Sequence, residues 1–573
     1  MLTESIYSNL FECKDPLFIS LLDSKSAFDV VVRQNAIVES YKAGTKDEGL
    51  LYFDARMANR RTFPQWGKTI LGPISDKLGL EQGAVNSDRL YKLCNNSQLI
   101  EAQNSGLGIE IAGVPVSAIG QADDVVLVAK SPFHLQCLLY HTTQHCARQH
   151  VCLVPEKTKL LAFTPTRKKV STELLKLSCP VSIDGRIVSY STSAEHVGII
   201  RSIEGGNMPH ILGRISAHTR AVASILFCGA ARHHACNPCN SIHLERLYGG
   251  PVLLSGVSAL VLSKKELDVL DRHQRLMLCR LQKLNRNTPA CVVYFLSGTL
   301  PISAIVHLRQ LSLIGMIARL GKNSILREIG ANILLSDDKR KSWFLQVRDL
   351  TLKYSLPDPL QILGSPPTKI TWKKTCKARV LSWWELKLRE ESKQLTSLTF
   401  FKPSFMSLDK IHPIWSSAET PFEVTKAAVT ADMISGRYVT DFRARHWSKR
   451  NPDGYCELCN IKCGLQIHGT LEHLLLFCPV LDDTRTGSLS LWAQYSSDKP
   501  EIAALIKQHS ILQNDIELPS MDLLMDPSSC SEVIRMEQAL GPGVLIHLFY
   551  LARTWCYSHH LKSRKMKKLF NLI

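Results

Sequence analysis

The chain has 573 residues, a formal net charge of +18, 45% hydrophobic and 21% charged residues, and 18 cysteines. The length sets an expectation of three to four domains of about 150 residues; the composition is that of a globular protein, and the basic surplus points to polyanionic partners reached through phosphate contacts. No run reaches the ~20 apolar residues of a membrane span, and Met1 to Ser5 lacks the basic and apolar regions of a signal peptide, so the reading is of an intracellular protein that is not secreted, with reduced thiols and with any Cys/His cluster as a metal site.

Leu17 to Leu22 is an apolar run that ends at Asp23 and predicts a strand. Val30 to Lys42 predicts an amphipathic helix with Val31, Ile37, Val38 and Tyr41 on its apolar face. Leu51 to Lys68 is aromatic and then basic, a patch that suits either stacking and phosphate contact or a solvated loop. Gly83 permits a tight turn, and a helix is expected to open near Ser87 with that residue as its N-cap. Leu107 to Val114 alternates like a strand.

Two β-branched runs, Val116 to Ile119 and Val125 to Ala129, flank Asp123 and Asp124, with Gly120 and the acid pair marking the turn between them. A strand that delivers Asp23 and a hairpin that delivers Asp123 and Asp124 can hold two divalent ions about 4 Å apart, the arrangement for phosphoryl transfer. Oxygen-only ligands suit Mg²⁺. A helix follows from Ser131 as cap, with Pro132 in its first turn, to about Gln149. Farther on, Ser263 and Glu266 form a capping box for a helix reaching Leu284. Its apolar face is Leu267, Leu270, Met277, Leu278, Leu281 and Leu284, and the opposite face carries Arg272, Arg275, Arg280 and Lys283, either a solvated face or a surface tracking a nucleic-acid backbone. Trp372 to Arg379 with Trp383 and Trp384 reads either as an RNA-stacking surface or as packed helix.

Cys456-x2-Cys459-x13-His473-x4-Cys478 has the ligand types and spacing of a tetrahedral Zn²⁺ site, with Cys463 and His468 as rival ligands. The basic run Lys562 to Lys568 reads either as a nuclear localisation signal or as a solvated tail.

In order and spacing, Asp23-x4-Phe28-Asp29, Gln82-Gly83-x3-Ser87, Ala122-Asp123-Asp124 and Lys157-Thr158-Lys159 together resemble the palm of a non-LTR (LINE-type) retrotransposon reverse transcriptase. The resemblance implies an α+β fold: a mainly antiparallel palm sheet with helices, a helical thumb, and a helical C-terminal region with a small zinc knuckle. It implies RNA-directed DNA synthesis by two-metal nucleotidyl transfer, with two Mg²⁺ ions on Asp23, Asp123 and Asp124, a structural Zn²⁺, and an RNA template, a DNA primer and dNTPs as partners. Phe28 would then be the steric gate against a ribose 2′-OH, and Gln82, Gly83 and Ser87 would line the nucleotide. Lys157, favoured over Lys159, would stand near the triphosphate, and Glu195 to Ile200 would form the hairpin that grips the primer. Glu81 and Asp88 depart from the family, which often has a basic residue before the Gln and usually Pro after the Ser.

The expected division is a palm over 1–205 with its fingers largely missing, a thumb over 206–330, a helical linker region over 331–450, the zinc knuckle over 451–485 and a helical basic tail over 486–573. No protein partner is evident. Because so little chain precedes Asp23, where the family has its fingers, the alternative expectation is a catalytically inactive remnant that only binds nucleic acid.

Overall fold

The computed structural model describes residues 1–9, 15–25, 27–58, 60–75, 78–81, 84, 86–164, 171–204, 206–225, 237–336, 341–447, 449–497, 499–513, 516–541 and 543–570. The fold is mixed α+β, predominantly helical with one larger sheet. The chain forms two compact units, each assembled from separate stretches: the first from Met1–Gly213, Ser255–Glu266 and Arg309–Cys376, the second from Arg214–Leu254, Leu267–Leu308 and Lys377–Ile573.

The first unit is built on a five-stranded sheet. Its strands are β1 (Leu17–Leu22), β2 (Ala118–Gln121), β3 (Asp124–Ala129), β4 (Lys159–Phe163) and β5 (Ser189–Tyr190), in the spatial order β5-β4-β1-β3-β2. β1 is fully buried and antiparallel to both neighbours, pairing Leu22 with Val125 on one side and Leu21 with Lys159 on the other. Such a central strand reads as a continuous apolar run because both of its faces are covered. Helices α1 (Arg33–Lys42), α2 (Ser87–Asn104) and α3 (Pro132–Arg148) belong to the same unit. One face of the sheet, with Phe18, Leu22, Val125, Leu127, Leu160 and Ala162, packs against Leu135, Leu138 and Leu139 of α3 and Ala102 of α2. Each fully buried side chain of this kind stabilises by roughly 1.5–3 kcal/mol before entropy is counted. Ser131 caps α3 by accepting from His134 N–H at 3.1 Å, with Pro132 in the first turn as the sequence indicates.

Three local expectations change. Leu107 to Val114 is a hairpin instead of one strand, Ile109–Ile111 against Val114–Val116, because Ala112 and Gly113 both take positive φ. On α1, Val38 and Tyr41 are 48% and 58% exposed, and the buried residues are Arg33, Ala36 and Ser40. Arg33 is tolerated inside because its guanidinium donates to three carbonyls, those of Met57, Leu78 and Gly79. Gly120 lies within β2, away from the turn; a Cβ there would meet the Leu99 side chain at 2.9 Å, so the glycine lets α2 approach the strand.

Later helices are α4 (Lys264–Leu281), α5 (Ile302–Ala318), α6 (Lys369–Lys393), α7 (Pro421–Ile434), α8 (Glu457–Cys463) and α9 (Gly543–Leu569). The capping box of α4 forms as read, with Ser263 N–H donating to Glu266 Oε2 at 2.7 Å and Glu266 N–H to Ser263 Oγ at 3.3 Å. Trp372 of α6 is buried and donates through Nε1 to Leu311 O at 2.6 Å, and Trp384 is buried too, so packing and not stacking on RNA accounts for both. No single helix among the described residues is long and apolar enough to cross a membrane; one pair, Ala290–Ser297 with Ile302–Ala318, reaches that length only together and is bent by 62° between them.

Candidate functional site

The register of the sheet places the acids. Pairing of Leu22 with Val125 puts the residues just beyond it, Asp23 directly after β1 and Asp124 at the start of β3, at the same end of adjacent strands. Asp124 also pairs with Gln121, which leaves Ala122 and Asp123 as a two-residue turn at the hairpin tip. Ala122 takes φ +58°, a left-handed conformation that costs an L-residue about 1–2 kcal/mol. Asn95 of α2 holds it there, donating through Nδ2 to Ala122 O at 3.1 Å. Burial first, and then the charges of Asp123 and Asp23, raise the Asp124 carboxyl above its ordinary value.

Lys157 stands over this group, its Nζ 3.8 Å from Asp23 Oδ1, with both side chains largely exposed. Lys159 instead opens β4 and donates to Glu156 O at 3.2 Å. Asp23 is fixed through its backbone: its N–H points at Thr158 Oγ1 at 3.4 Å, and its carbonyl accepts from Val154 N–H at 2.9 Å.

Phe28 is half-buried and stacks on Tyr91, with ring centroids 4.6 Å apart and planes 23° apart. The Tyr91 hydroxyl is held well above its ordinary value by burial and then by Asp123. One aromatic pair thus connects the candidate gate to the hairpin tip, beside a cavity of about 20 Å³ lined in part by Tyr91, Asn95 and Asp123. A space of that size holds about one water. Tyr91 and Asn95 were not picked out from the sequence. The signal available was their i, i+4 spacing, continued by Gln98 and Ala102, on the helix that follows Ser87. Ser87 is buried as the first residue of α2, and Asn86 takes the cap position without a side-chain bond. Gln82 and Gly83 lie outside the described residues.

The basic face of α4 is narrower than expected. Arg272 and Arg280 are exposed on the helix. Arg275 turns back to donate to the carbonyls of Arg286 and Thr288, and Lys283 lies past the helix end at φ +58°.

Cys456, Cys459, His473 and Cys478 form one buried group in the second unit, with donor atoms all within 4.8 Å of one another. Cys459 Sγ lies 3.2 Å from His473 Nε2 and 3.5 Å from Cys478 Sγ. A tetrahedral zinc with Zn–S near 2.3 Å and Zn–N near 2.0–2.1 Å needs donor separations of about 3.5–3.8 Å, so three thiolates and one imidazole fit the ion with small adjustment. Cys456 caps the N-terminus of α8, and Gly464 in the left-handed region ends it. His473 opens a short π-helical turn whose first N–H is taken by Thr470 Oγ1 at 3.1 Å.

Hydrogen bonding with Cys478 and then burial push the Cys456 thiol up to about 12, and burial followed by Cys456 does the same for Cys459. Thiols so crowded ionise only against a cation, and a bound divalent ion inverts this balance. The rivals stand apart: Cys463 is exposed, and His468 stacks on Tyr455 at 5.1 Å. Among the described residues no other group of three or more His, Cys, Asp or Glu side chains has its donors gathered in this way, and Asp23, Asp123 and Asp124 do not. No protein-family model matches the chain, and no curated protein matches it.

Proposed function

We propose that the chain is an RNA-directed DNA polymerase of the non-LTR retrotransposon type, with the sheet of the first unit as its palm. The observation that supports this most is the strand register, which brings Asp23, Asp123 and Asp124 to one end of adjacent strands with Lys157 on Asp23. Burial and then the charges of Asp123 and Asp23 raise the proton affinity of Asp124, and three such carboxylates are a hard-oxygen donor set suited to Mg²⁺. When bound, two such ions supply activation of a primer 3′-oxygen and stabilisation of the leaving pyrophosphate.

The chain's own residues do the positioning. Thr158 and Val154 fix the backbone of Asp23, and Asn95 fixes the tip that carries Asp123. Lys157 supplies a mobile ammonium for triphosphate oxygens, and Phe28 on Tyr91 presents a flat wall to a sugar. The knuckle on Cys456, Cys459, His473 and Cys478 holds a structural zinc, and Arg272 and Arg280 contact the backbone of the primer–template. A nuclear location suits these partners.

A second reading, an inactive chain that only binds nucleic acid, is favoured by one observation: the three carboxylates are not gathered as closely as the cysteine–histidine group. Primer extension on an RNA template with Mg²⁺ and dNTPs, run beside a filter-binding titration over salt, separates the two. Extension that disappears in Asp123→Ala supports the polymerase. Binding without extension leaves the second reading, and absence of both removes each.

A further inference from the structure

A cavity of about 650 Å³ in the second unit lies against the cysteine–histidine group, with Cys456 and His473 in its wall. Its volume falls in the range of about 300–1,000 Å³ typical of small-molecule sites. The side chains that give it chemistry come from outside the knuckle. Arg437 and Tyr438 follow α7, Trp447 and Arg450 follow the short helix Asp441–Ala444, Arg564 lies on α9, and Asp432 lies on α7.

The charges around the cavity do not cancel. Lys567 is engaged by both Asp441 and Glu457. Among the lining residues the cations Arg437, Arg450, Arg564 and Lys567 face the carboxylates Asp432, Asp441 and Glu457, and among the described residues no carboxylate forms an ion pair with Arg437 or Arg564. Asp432 and Arg437 both line this space, and one polar atom of each, Asp432 Oδ1 and Arg437 Nε, is buried with no hydrogen-bond partner. Burial raises the Asp432 carboxyl to about 6, against the opposing hydrogen bond from the Asn285 backbone. Trp447 is 60% exposed, although large aromatics are usually covered.

We propose that this cavity binds one nucleotide unit of a single-stranded nucleic acid, its base against the Trp447 ring and the edge of Asp432, and its phosphate on Arg437 and Arg564. Each part of that ligand answers a feature of the lining: a flat π-face for the tryptophan, a hydrogen-bonding edge for the Asp432 carboxyl, and an anion for the Arg437 and Arg564 guanidinium groups, which form no ion pair. A phosphopeptide would answer the arginines and leave the ring and the acid edge unused. A base inside a duplex offers neither its face nor its pairing edge. The proposal takes the class of partner from the proposed function, and it does not use the carboxylate end of the sheet.

The test uses the full zinc-loaded chain in an Asp123→Ala background, which separates this site from polymerisation. Fluorescence anisotropy compares matched single-stranded RNA, single-stranded DNA and duplex for the parent, for Trp447→Ala, and for Arg437→Gln combined with Arg564→Gln. The expected result is a loss of single-strand affinity of at least tenfold in both variants, a change of less than twofold on duplex, and one zinc per chain throughout. The tighter of RNA and DNA identifies the strand. Adenosine monophosphate should compete with the single strand, whereas inorganic phosphate at the same concentration should not. Single-strand affinity within twofold of the parent in both variants overturns the proposal, as does an equal loss on duplex or equal competition by phosphate. Should the double substitution lower the zinc content, Trp447→Ala decides, because its side chain is 60% exposed and lies outside the metal group. Failure of primer extension with pocket binding intact removes only the polymerase reading.

Discussion

At the scale of single residues, the metal group makes the sharpest demand. Purified protein should carry one zinc per chain by elemental analysis, and His473→Ala should lower that markedly. Cys463→Ala and His468→Ala should leave it unchanged, since one thiol is exposed and the other side chain is committed to Tyr455. Loss of metal in either of those variants would show that the ligand set is wrong. Asn95 makes a second prediction. Its bond to Ala122 O holds a non-glycine residue in a left-handed turn, so Asn95→Ala should cost about 1 kcal/mol by urea denaturation. Ala122→Gly in that background should recover part of the loss, because glycine takes the turn without strain. No recovery would mean that Asn95 acts through something other than the turn.

At the scale of elements, α4 separates stability from binding on one helix. Ser263→Ala and Glu266→Ala should each cost about 1 kcal/mol, and the double variant should cost less than their sum, since each side chain caps the other's backbone. Arg275→Gln should lower stability and leave nucleic-acid affinity nearly unchanged, because its guanidinium is tied to the carbonyls of Arg286 and Thr288. Arg272→Gln and Arg280→Gln should do the reverse, each flattening the salt dependence of binding by about one phosphate contact. An equal salt slope in all three variants would remove α4 from the interface. The helix wheel could not make this distinction. It places residues by angle on one helix, whereas the carbonyls that draw Arg275 aside belong to the loop that follows. The same blindness explains α1, where an arginine is buried because three carbonyls remote in sequence accept from it. What was legible was local or strictly periodic: the apolar run ending at Asp23, the Ser131 and Ser263 caps, and the spacing of Cys456, Cys459, His473 and Cys478. The turn was read one step off, because Gly120 answers to Leu99 and not to the hairpin.

At the scale of the whole molecule, the chain forms two units that each gather distant stretches, a grouping that the five successive segments suggested by the sequence do not address. Composition along the chain carries no sign of that, because returning to a unit is a matter of which buried faces match. The basic tail shows the consequence: Lys567, read as part of a nuclear localisation signal or a solvated run, is engaged by Asp441, which precedes the knuckle in sequence, and by Glu457 within it. The packing of α9 also sets a pH dependence. His559 is buried and stacks on Trp555 at 5.4 Å; its Nδ1–H donates to Trp555 O at 2.9 Å, and its Nε2 is buried without a partner. Burial lowers its pKa from 6.5 to about 4. The unfolded chain therefore binds the extra proton between those values while the folded chain does not, so stability is fully present above about pH 6.5, falls as pH drops toward 4, and changes no further from this group below that. The size is about 3 kcal/mol at most. The urea midpoint should fall over that window, and His559→Phe, which keeps a stacked ring and removes the titration, should flatten the fall. Metal loss from the knuckle at acid pH is common to both proteins and cancels in the comparison. Parallel pH profiles for the two would show that His559 is not held neutral in the folded chain.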